Sequence, residues 1–279
     1  MSERALAVLG HPVAHSLSPA MHAAAYRVLG LDWTYGRADV REHELAGFLD
    51  GLDATWRGVS ATMPLKEELA RLGDESDRAV ELTGAANTLL LADDGRRIVR
   101  NTDVVGVERA LRGAGLGSTE HAVVVGAGAT ARSVVVALDD LGVRGITVAV
   151  RDAARAVGIQ ALADVLGLEF DIVALSDLAE VVEETDVVAW TLPNGVPLDD
   201  ELPERVRERA VALDVTYHPW PGPLAAQWLS VGGRVASGRD MLLHQAVRQV
   251  RLFVSGQTEV PLDAEDEVEA AMASALVKD

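Results

Sequence analysis

The sequence predicts an α/β protein of two domains, both built on mostly parallel sheets. Three observations carry that reading. Strand-like and helix-like segments alternate along the chain, which calls for βαβ units. Several strand candidates are short continuous apolar runs such as Ala122-Val123-Val124-Val125, the pattern of strands buried on both faces. The 279 residues exceed the usual ~100–200 of one domain.

The first series of strands is Arg4–Leu9, Trp33–Arg37, Arg57–Ser60, Thr88–Leu91 and Ile98–Arg100. Helical patterns lie between or after them at Pro19–Leu29, Glu42–Leu49, Pro64–Leu72 and Val104–Arg112. The second series is His121–Val125, Ile146–Val150, Val187–Thr191, Val211–Val215 and Arg234–Ala236, with a helix expected over Ala129–Leu141. The glycine-rich stretch Gly113–Ser118 separates the two series. Two more helices, Arg239–Val254 and Leu262–Leu276, follow Gly238 and need not belong to the second domain. The chain is therefore expected to divide near residues 103–118.

Composition excludes several classes. The net charge of −18 opposes non-specific nucleic-acid binding and a polybasic membrane anchor, since both rely on basic surface. No apolar run approaches the roughly 20 residues of a membrane span. The N-terminal apolar stretch is cut short by Gly10-His11-Pro12 and reads as a first strand, not a signal peptide. Zero cysteines exclude disulfides, thiolate nucleophiles and zinc fingers. His11, His15 and His22 fall close together, but without a helical i, i+4 pair, so no metal site is expected. From Thr258 onward seven acids face one Lys, which reads as solvated surface.

The strand His121–Val125 runs into Gly126-Ala127-Gly128-Ala129-Thr130-Ala131 and then a helical pattern. This is G-x-G-x-x-A at a strand-to-helix turn, the fingerprint of a Rossmann-type dinucleotide-binding domain. Gly126 permits the tight turn, Gly128 lets the backbone approach a pyrophosphate, and Ala131 allows close helix–strand packing. The helix N-terminus offers unpaired N–H groups and positive partial charge to that pyrophosphate. The next strand ends at Arg151-Asp152, with Arg155 one helical turn on. Arg suits a ribose 2′-phosphate and Asp a free 2′-hydroxyl. The balance points to NADP and leaves NAD open.

Among 25 basic residues only Lys66 and Lys278 are lysines. Thr62-Met63-Pro64-Leu65-Lys66 reads as cap and helix start, with Pro64 in the first turn. Lys66 then sits where the macrodipole disfavours a cation by roughly 0.3–1 kcal/mol. A surface pair with Glu67 or Glu68 is the plain alternative. Yet a chain that uses Arg almost everywhere keeps an amine here, and an amine trades a proton where guanidinium does not. Asp103 is either a candidate anionic partner or simply the cap of the next helix.

Taken in order, the motifs resemble those of the shikimate dehydrogenase family over nearly the whole chain. Gly10-His11-Pro12-Val13-Ala14-His15-Ser16-Leu17-Ser18-Pro19 matches G-x-P-x-x-H-S-x-S-P. Thr62, Pro64 and Lys66 match T-x-P-x-K, Gly84 to Thr88 match G-A-x-N-T, and Asn101-Thr102-Asp103 matches N-T-D. Asp214, Tyr217 and Pro219, then Gly238, Met241, Leu242 and Gln245, complete the set.

The resemblance implies reversible NADPH-dependent reduction of 3-dehydroshikimate to shikimate in the cytoplasm, by a monomer or homodimer. It implies a substrate domain of 1–103 plus 238–279, a cofactor domain of 104–237, and a catalytic pair of Lys66 and Asp103. Ser16 and Ser18 would take the substrate carboxylate, and Thr62, Asn87, Asp103, Tyr217 and Gln245 its other polar groups. Val215 and Gly238 would lie near the nicotinamide, and the loop Gly126 to Ala131 with Arg151 and Asp152 would hold the rest of the cofactor. The chain departs from the family pattern at Ser60, where Asn is frequent, and on the cofactor side at Ala129, Val150-Arg151-Asp152 and Trp190-Thr191-Leu192-Pro193. A relative acting on quinate or an amino-shikimate with NAD, and a non-catalytic metabolite-binding module, are the alternatives.

Overall fold

A computed structural model describes residues 3–193, 195–198 and 200–276; Lys278 and Asp279, counted above, lie outside them. The chain divides into two compact units, one of Met1–Thr102 with Leu243–Asp279 and one of Asp103–Leu242. The second division falls a few residues after the expected point at 237/238, inside a continuous helix.

The first unit contains β1 (Arg4–Gly10), α1 (Ser18–Val28), β2 (Trp33–Asp39), α2 (Leu45–Asp50), β3 (Trp56–Ala61), α3 (Lys66–Arg71), α4 (Arg78–Thr83), β4 (Thr88–Leu91) and β5 (Arg97–Arg100). Its sheet order is β2-β1-β3-β4-β5. The three strands β2, β1 and β3 are parallel, and β4 and β5 add an antiparallel edge. Leu9, Val59, Leu65, Leu69, Leu89 and Val99 form the apolar core that seats α2 and α3 on this sheet.

The second unit runs α5 (Asp103–Gly113), β6 (His121–Val125), α6 (Ala129–Asp140), β7 (Gly145–Val150), α7 (Val157–Leu166), β8 (Glu169–Ala174), α8 (Leu178–Val181), β9 (Val187–Trp190), α9 (Glu204–Arg209), β10 (Val211–Asp214), α10 (Pro223–Leu229) and β11 (Arg234–Ser237). All five strand pairings are parallel, in the order β11-β10-β9-β6-β7-β8. Counted from β6, that is the 3-2-1-4-5-6 order of the doubly wound fold. The direction of winding reverses between β6 and β9, so a crevice opens beyond their carboxyl ends. Helix α11 (Gly238–Ser255) starts in this unit and carries the chain into the first, where α12 (Glu265–Leu276) packs on α1.

Two expectations need correction. The helix carrying Lys66 starts at Lys66, not Pro64, and no side chain caps it. Thr62 is therefore not its cap: its carbonyl accepts from Leu65 N at 2.9 Å, closing a turn that delivers Lys66 as the first helical residue. Strand β8 has no counterpart among the expected strands. It is an edge strand that alternates exposed Glu169 and Asp171 with half-buried Phe170 and Ile172, so it shows no continuous apolar run.

His22 on α1 is fully buried, and desolvation pushes its imidazole down to about 3 from 6.5, opposed by a hydrogen bond to Gln249. Between those values the unfolded chain takes up a proton that the native state refuses. Stability therefore falls as pH drops from 6.5 towards 3. Through this group alone the protein is expected to be about 2 kcal/mol less stable at pH 5 than at pH 7. Urea unfolding of the wild type and His22→Phe at both pH values checks this: the variant must lose part of the difference, and an unchanged difference contradicts it.

Candidate active site

In the first unit the candidate residues gather at the carboxyl end of the parallel strands. β1 ends at Gly10 and enters the loop that carries Ser16 and leads into Ser18, the first residue of α1. The loop is tied at both ends to β2. His11 Nδ1 meets Asp39 Oδ1 at 2.6 Å. Arg37 donates twice to the Ser16 carbonyl, from Nε at 3.0 Å and Nη2 at 2.6 Å. Ser16 Oγ accepts from Ser18 N at 3.3 Å, and both serines are buried. A Ser-x-Ser loop so held presents two hydroxyls from a fixed backbone.

Next to β1, β3 ends at Ala61 and the Thr62 turn follows. Thr62 N donates to Leu9 O at 2.9 Å, and Met63 O accepts from His11 N at 3.1 Å, which fastens this turn to the serine loop. The Lys66 carbonyl accepts from Ala86 N at 2.8 Å, and Ala61 N donates to Asn87 O at 2.8 Å. The Lys66 turn is thus stitched to the Ala86-Asn87 segment that leads into β4. Lys66 is half-buried.

Asn87 is buried among Thr102 and Gln245. Its Nδ2 donates to Thr102 Oγ1 at 2.9 Å and to Gln245 Oε1 at 3.2 Å. Its Oδ1 accepts from Thr102 N at 2.9 Å. The structure therefore brings Asn87 and Gln245, 158 residues apart, into direct contact. Asp103 follows Thr102 as the first residue of α5 and is buried.

In the second unit the Gly126 turn meets the loop after β9. Gly126 has φ +108°, and a Cβ there would lie 2.6 Å from Thr191 Oγ1. Thr191 donates to Val125 O through N at 2.9 Å and Oγ1 at 2.7 Å, closing the end of β6 onto β9. Gly128 is the N-cap of α6, makes no side-chain cap bond, and has nothing within 4 Å of where its Cβ would stand. Ala129, Thr130 and Ala131 form the first turn, with Ala131 fully buried against the sheet. The open cradle at Ala127-Gly128 and the uncapped N–H groups behind it fit a dinucleotide pyrophosphate.

Arg151 and Asp152 are exposed beyond β7. Asp152 Oδ1 accepts from Ala154 N at 3.0 Å, so this acid caps the short turn Ala153–Ala156. That local use explains an acid at a position where 2′-phosphate binding would otherwise disfavour one.

Val215 and Gly238 touch. A Cβ on Gly238 would lie 2.6 Å from Val215 C and 2.7 Å from Thr216 O. Beside them, Asp214 is fully buried and accepts from Thr216 N and Ala225 N, each at 3.0 Å. Tyr217 is partly buried, which raises its hydroxyl above the ordinary range, and its carbonyl accepts from Arg239 Nε at 3.3 Å.

The sequence gives no sign of a site role for Arg37, Thr191, Thr88 or Gln249. Arg37 acts on a carbonyl 21 residues back, and nothing in its own neighbourhood signals that. Among the described residues, no group of three or more His, Asp or Glu is placed to hold a metal ion.

A family model described as "Shikimate dehydrogenase substrate binding domain" matches residues 8–89. A second, "Shikimate / quinate 5-dehydrogenase", matches residues 108–198. A relative from Rubrobacter xylanophilus named shikimate dehydrogenase (NADP(+)) is 36% identical over 91% of each chain. The chain belongs to the shikimate dehydrogenase family. The crystal structure of the Mycobacterium tuberculosis shikimate dehydrogenase is similar with a TM-score of 0.86 and 40% identity, covering 98% of this chain and 99% of that one. The Thermus thermophilus enzyme in complex with NADP(H) and shikimate has a TM-score of 0.81 and 33% identity, with coverages of 98% and 99%. Membership in this family confirms the two-domain α/β fold expected from the motifs.

Proposed function

We propose that the protein is an NADP-dependent shikimate dehydrogenase, interconverting shikimate and 3-dehydroshikimate in the cytoplasm. The observation that carries this is the joint presence of the clamped Ser16-x-Ser18 loop, the stitched Lys66 turn and the Asn87–Gln245 contact in a chain whose relatives bear that name.

Each residue then has a task. Ser16 and Ser18 hold the carboxylate of the acid. Thr62, Asn87, Tyr217 and Gln245 hold its hydroxyls. The bound nicotinamide supplies or takes the hydride. Lys66 holds the proton at the reacting oxygen, stabilising the alkoxide as it develops and protonating it in the reductive direction. Asp103 orients Lys66 and meets a neighbouring hydroxyl. Gly126 to Ala131 seat the pyrophosphate, Val215 and Gly238 border the nicotinamide, and Arg151 reads the 2′-phosphate, with Asp152 shaping the turn beside it.

The direct test adds shikimate and NADP to the purified protein and follows NADPH absorbance. Steady production supports the reading, and cofactor binding without any reduction contradicts it. Arg151→Ala should weaken NADP by about tenfold to a hundredfold through loss of a charge-assisted contact, and NAD much less. Equal loss for both cofactors, measured by KM, would remove Arg151 from phosphate recognition.

A further inference from the structure

Behind Asn87 and Gln245 runs a line of buried polar groups that the chemistry does not use directly. The His22 ring stacks on Tyr35 with centroids 3.9 Å apart. Its Nδ1 faces the Tyr26 hydroxyl and its Nε2 faces Gln249 Oε1, each at 3.2 Å. Gln249 Nε2 donates to Thr88 Oγ1 at 3.0 Å, and Thr88 Oγ1 donates to Asn87 Oδ1 at 2.9 Å. His22, Thr88, Asn87, Gln245 and Gln249 are all buried.

These bonds run in one direction. An amide oxygen only accepts, so Gln249 Oε1 takes the proton of His22 Nε2–H, and His22 Nδ1 accepts from Tyr26. Gln249 Nε2 donates, so Thr88 accepts there and gives its own proton to Asn87. Asn87 Oδ1 then holds both the Thr88 hydroxyl and Thr102 N–H, which fills its two lone pairs. The Thr102 hydroxyl accepts from Asn87 Nδ2 and lies 3.2 Å from Asn87 Oδ1 and 3.4 Å from Gln245 Oε1; with the Asn87 lone pairs already taken, its proton goes to Gln245. Gln245 Oε1 is thereby engaged twice, and that side chain offers N–H groups to whatever else it meets. A flipped amide would exchange donor for acceptor and recognise a different ligand group.

We propose that His22, Gln249 and Thr88 are positioning residues that lock the Asn87 and Gln245 amides in one orientation, so that Gln245 presents donors to a hydroxyl oxygen of a polyhydroxylated acid. The proposal rests on the substrate-side role given to Asn87 and Gln245 above. Its force is geometric. The lock is built from α1, β4 and α11, three elements far apart in sequence, and each amide in it has one way to satisfy its neighbours. Leaving a buried donor or acceptor unmatched would cost about 1–3 kcal/mol; the backbone groups Thr102 N–H and Asn87 O, the latter 3.5 Å from Gln249 Nε2, set the polarity, and His22, Gln249 and Thr88 hold the side chains to it.

Thr88→Val removes the hydroxyl at nearly constant shape, and Thr88→Ser keeps it. Thr88→Val should raise the KM for shikimate about tenfold with kcat within about threefold and the NADP KM unchanged, while Thr88→Ser stays within about twofold of wild type. Gln249→Met cuts the line one bond earlier and should raise the same KM, which decides the matter if Thr88→Val does not fold. Calorimetric shikimate affinity is measured on all four proteins. An unchanged shikimate KM in folded Thr88→Val or in Gln249→Met overturns the proposal, as does Thr88→Ser impaired as much as Thr88→Val. A wild type that binds shikimate without turnover overturns the functional reading instead, and the affinities then decide the positioning role. A wild type that binds no shikimate overturns both.

Discussion

Lys66→Ala lowers kcat by about three to five orders of magnitude, with a small change in the KM for shikimate. The size follows from two contributions lost together. A positioned general acid or base contributes about 10²–10⁴, and a charge aimed at a developing oxyanion adds a comparable factor. Both act at the reacting oxygen in the transition state, so kcat falls while ground-state binding, carried by the serine loop and the amides, persists. The backbone of the Lys66 turn keeps its bonds, because Ala86 N and Leu65 N bind carbonyls and not the Lys66 side chain. The variant should therefore fold, and thermal melting verifies it. Lys66→Arg should fail nearly as badly, since guanidinium keeps the charge but does not release the proton. A folded Lys66→Ala protein with near wild-type turnover would remove Lys66 from the mechanism.

The second large effect is expected at Gly238→Ala. The new methyl would sit within 2.7 Å of backbone atoms of both Val215 and Thr216. Backbone cannot swing aside as the end of a side chain can. Either the start of α11 or the segment after β10 must shift, and that segment is held by the bonds Asp214 receives from Thr216 N and Ala225 N. Overpacking of this kind costs about 1–3 kcal/mol. Because Val215 is assigned to the nicotinamide side, the NADP KM should rise at least about tenfold, and the stabilisation that NADP gives the wild type in a melt should largely vanish. Wild-type melting and an unchanged NADP KM would show that the two segments do not need this contact.

How much of this was legible beforehand depends on how local each signal is. The Gly126 turn, five of the six strands of the second sheet and the serine loop are written in consecutive residues, and the structure places them within a residue or two of expectation. Lysine scarcity singled out Lys66 without any alignment, because one amine stood among arginines. The Lys66 helix start slipped by two residues, since Pro64 fits a helical first turn and a preceding tight turn equally well. The edge strand β8 was hidden by its alternation. The Arg37 clamp and the line from His22 to Asn87 were illegible for a different reason. Their decisive bonds, Arg37 to Ser16 and His22 to Gln249, join residues 21 and 227 positions apart, and only the folded backbone brings those partners together. On the cofactor side, Asp152 caps its own turn through Oδ1, a use that its position in the sequence does not announce.

Substrate and cofactor are decided by kcat/KM for shikimate and for quinate, each with NADP and with NAD, on the purified wild-type protein. The highest value is expected for shikimate with NADP, because Ser16 and Ser18 are both present for the carboxylate and Arg151 for the 2′-phosphate. A higher value for quinate with NAD would contradict it.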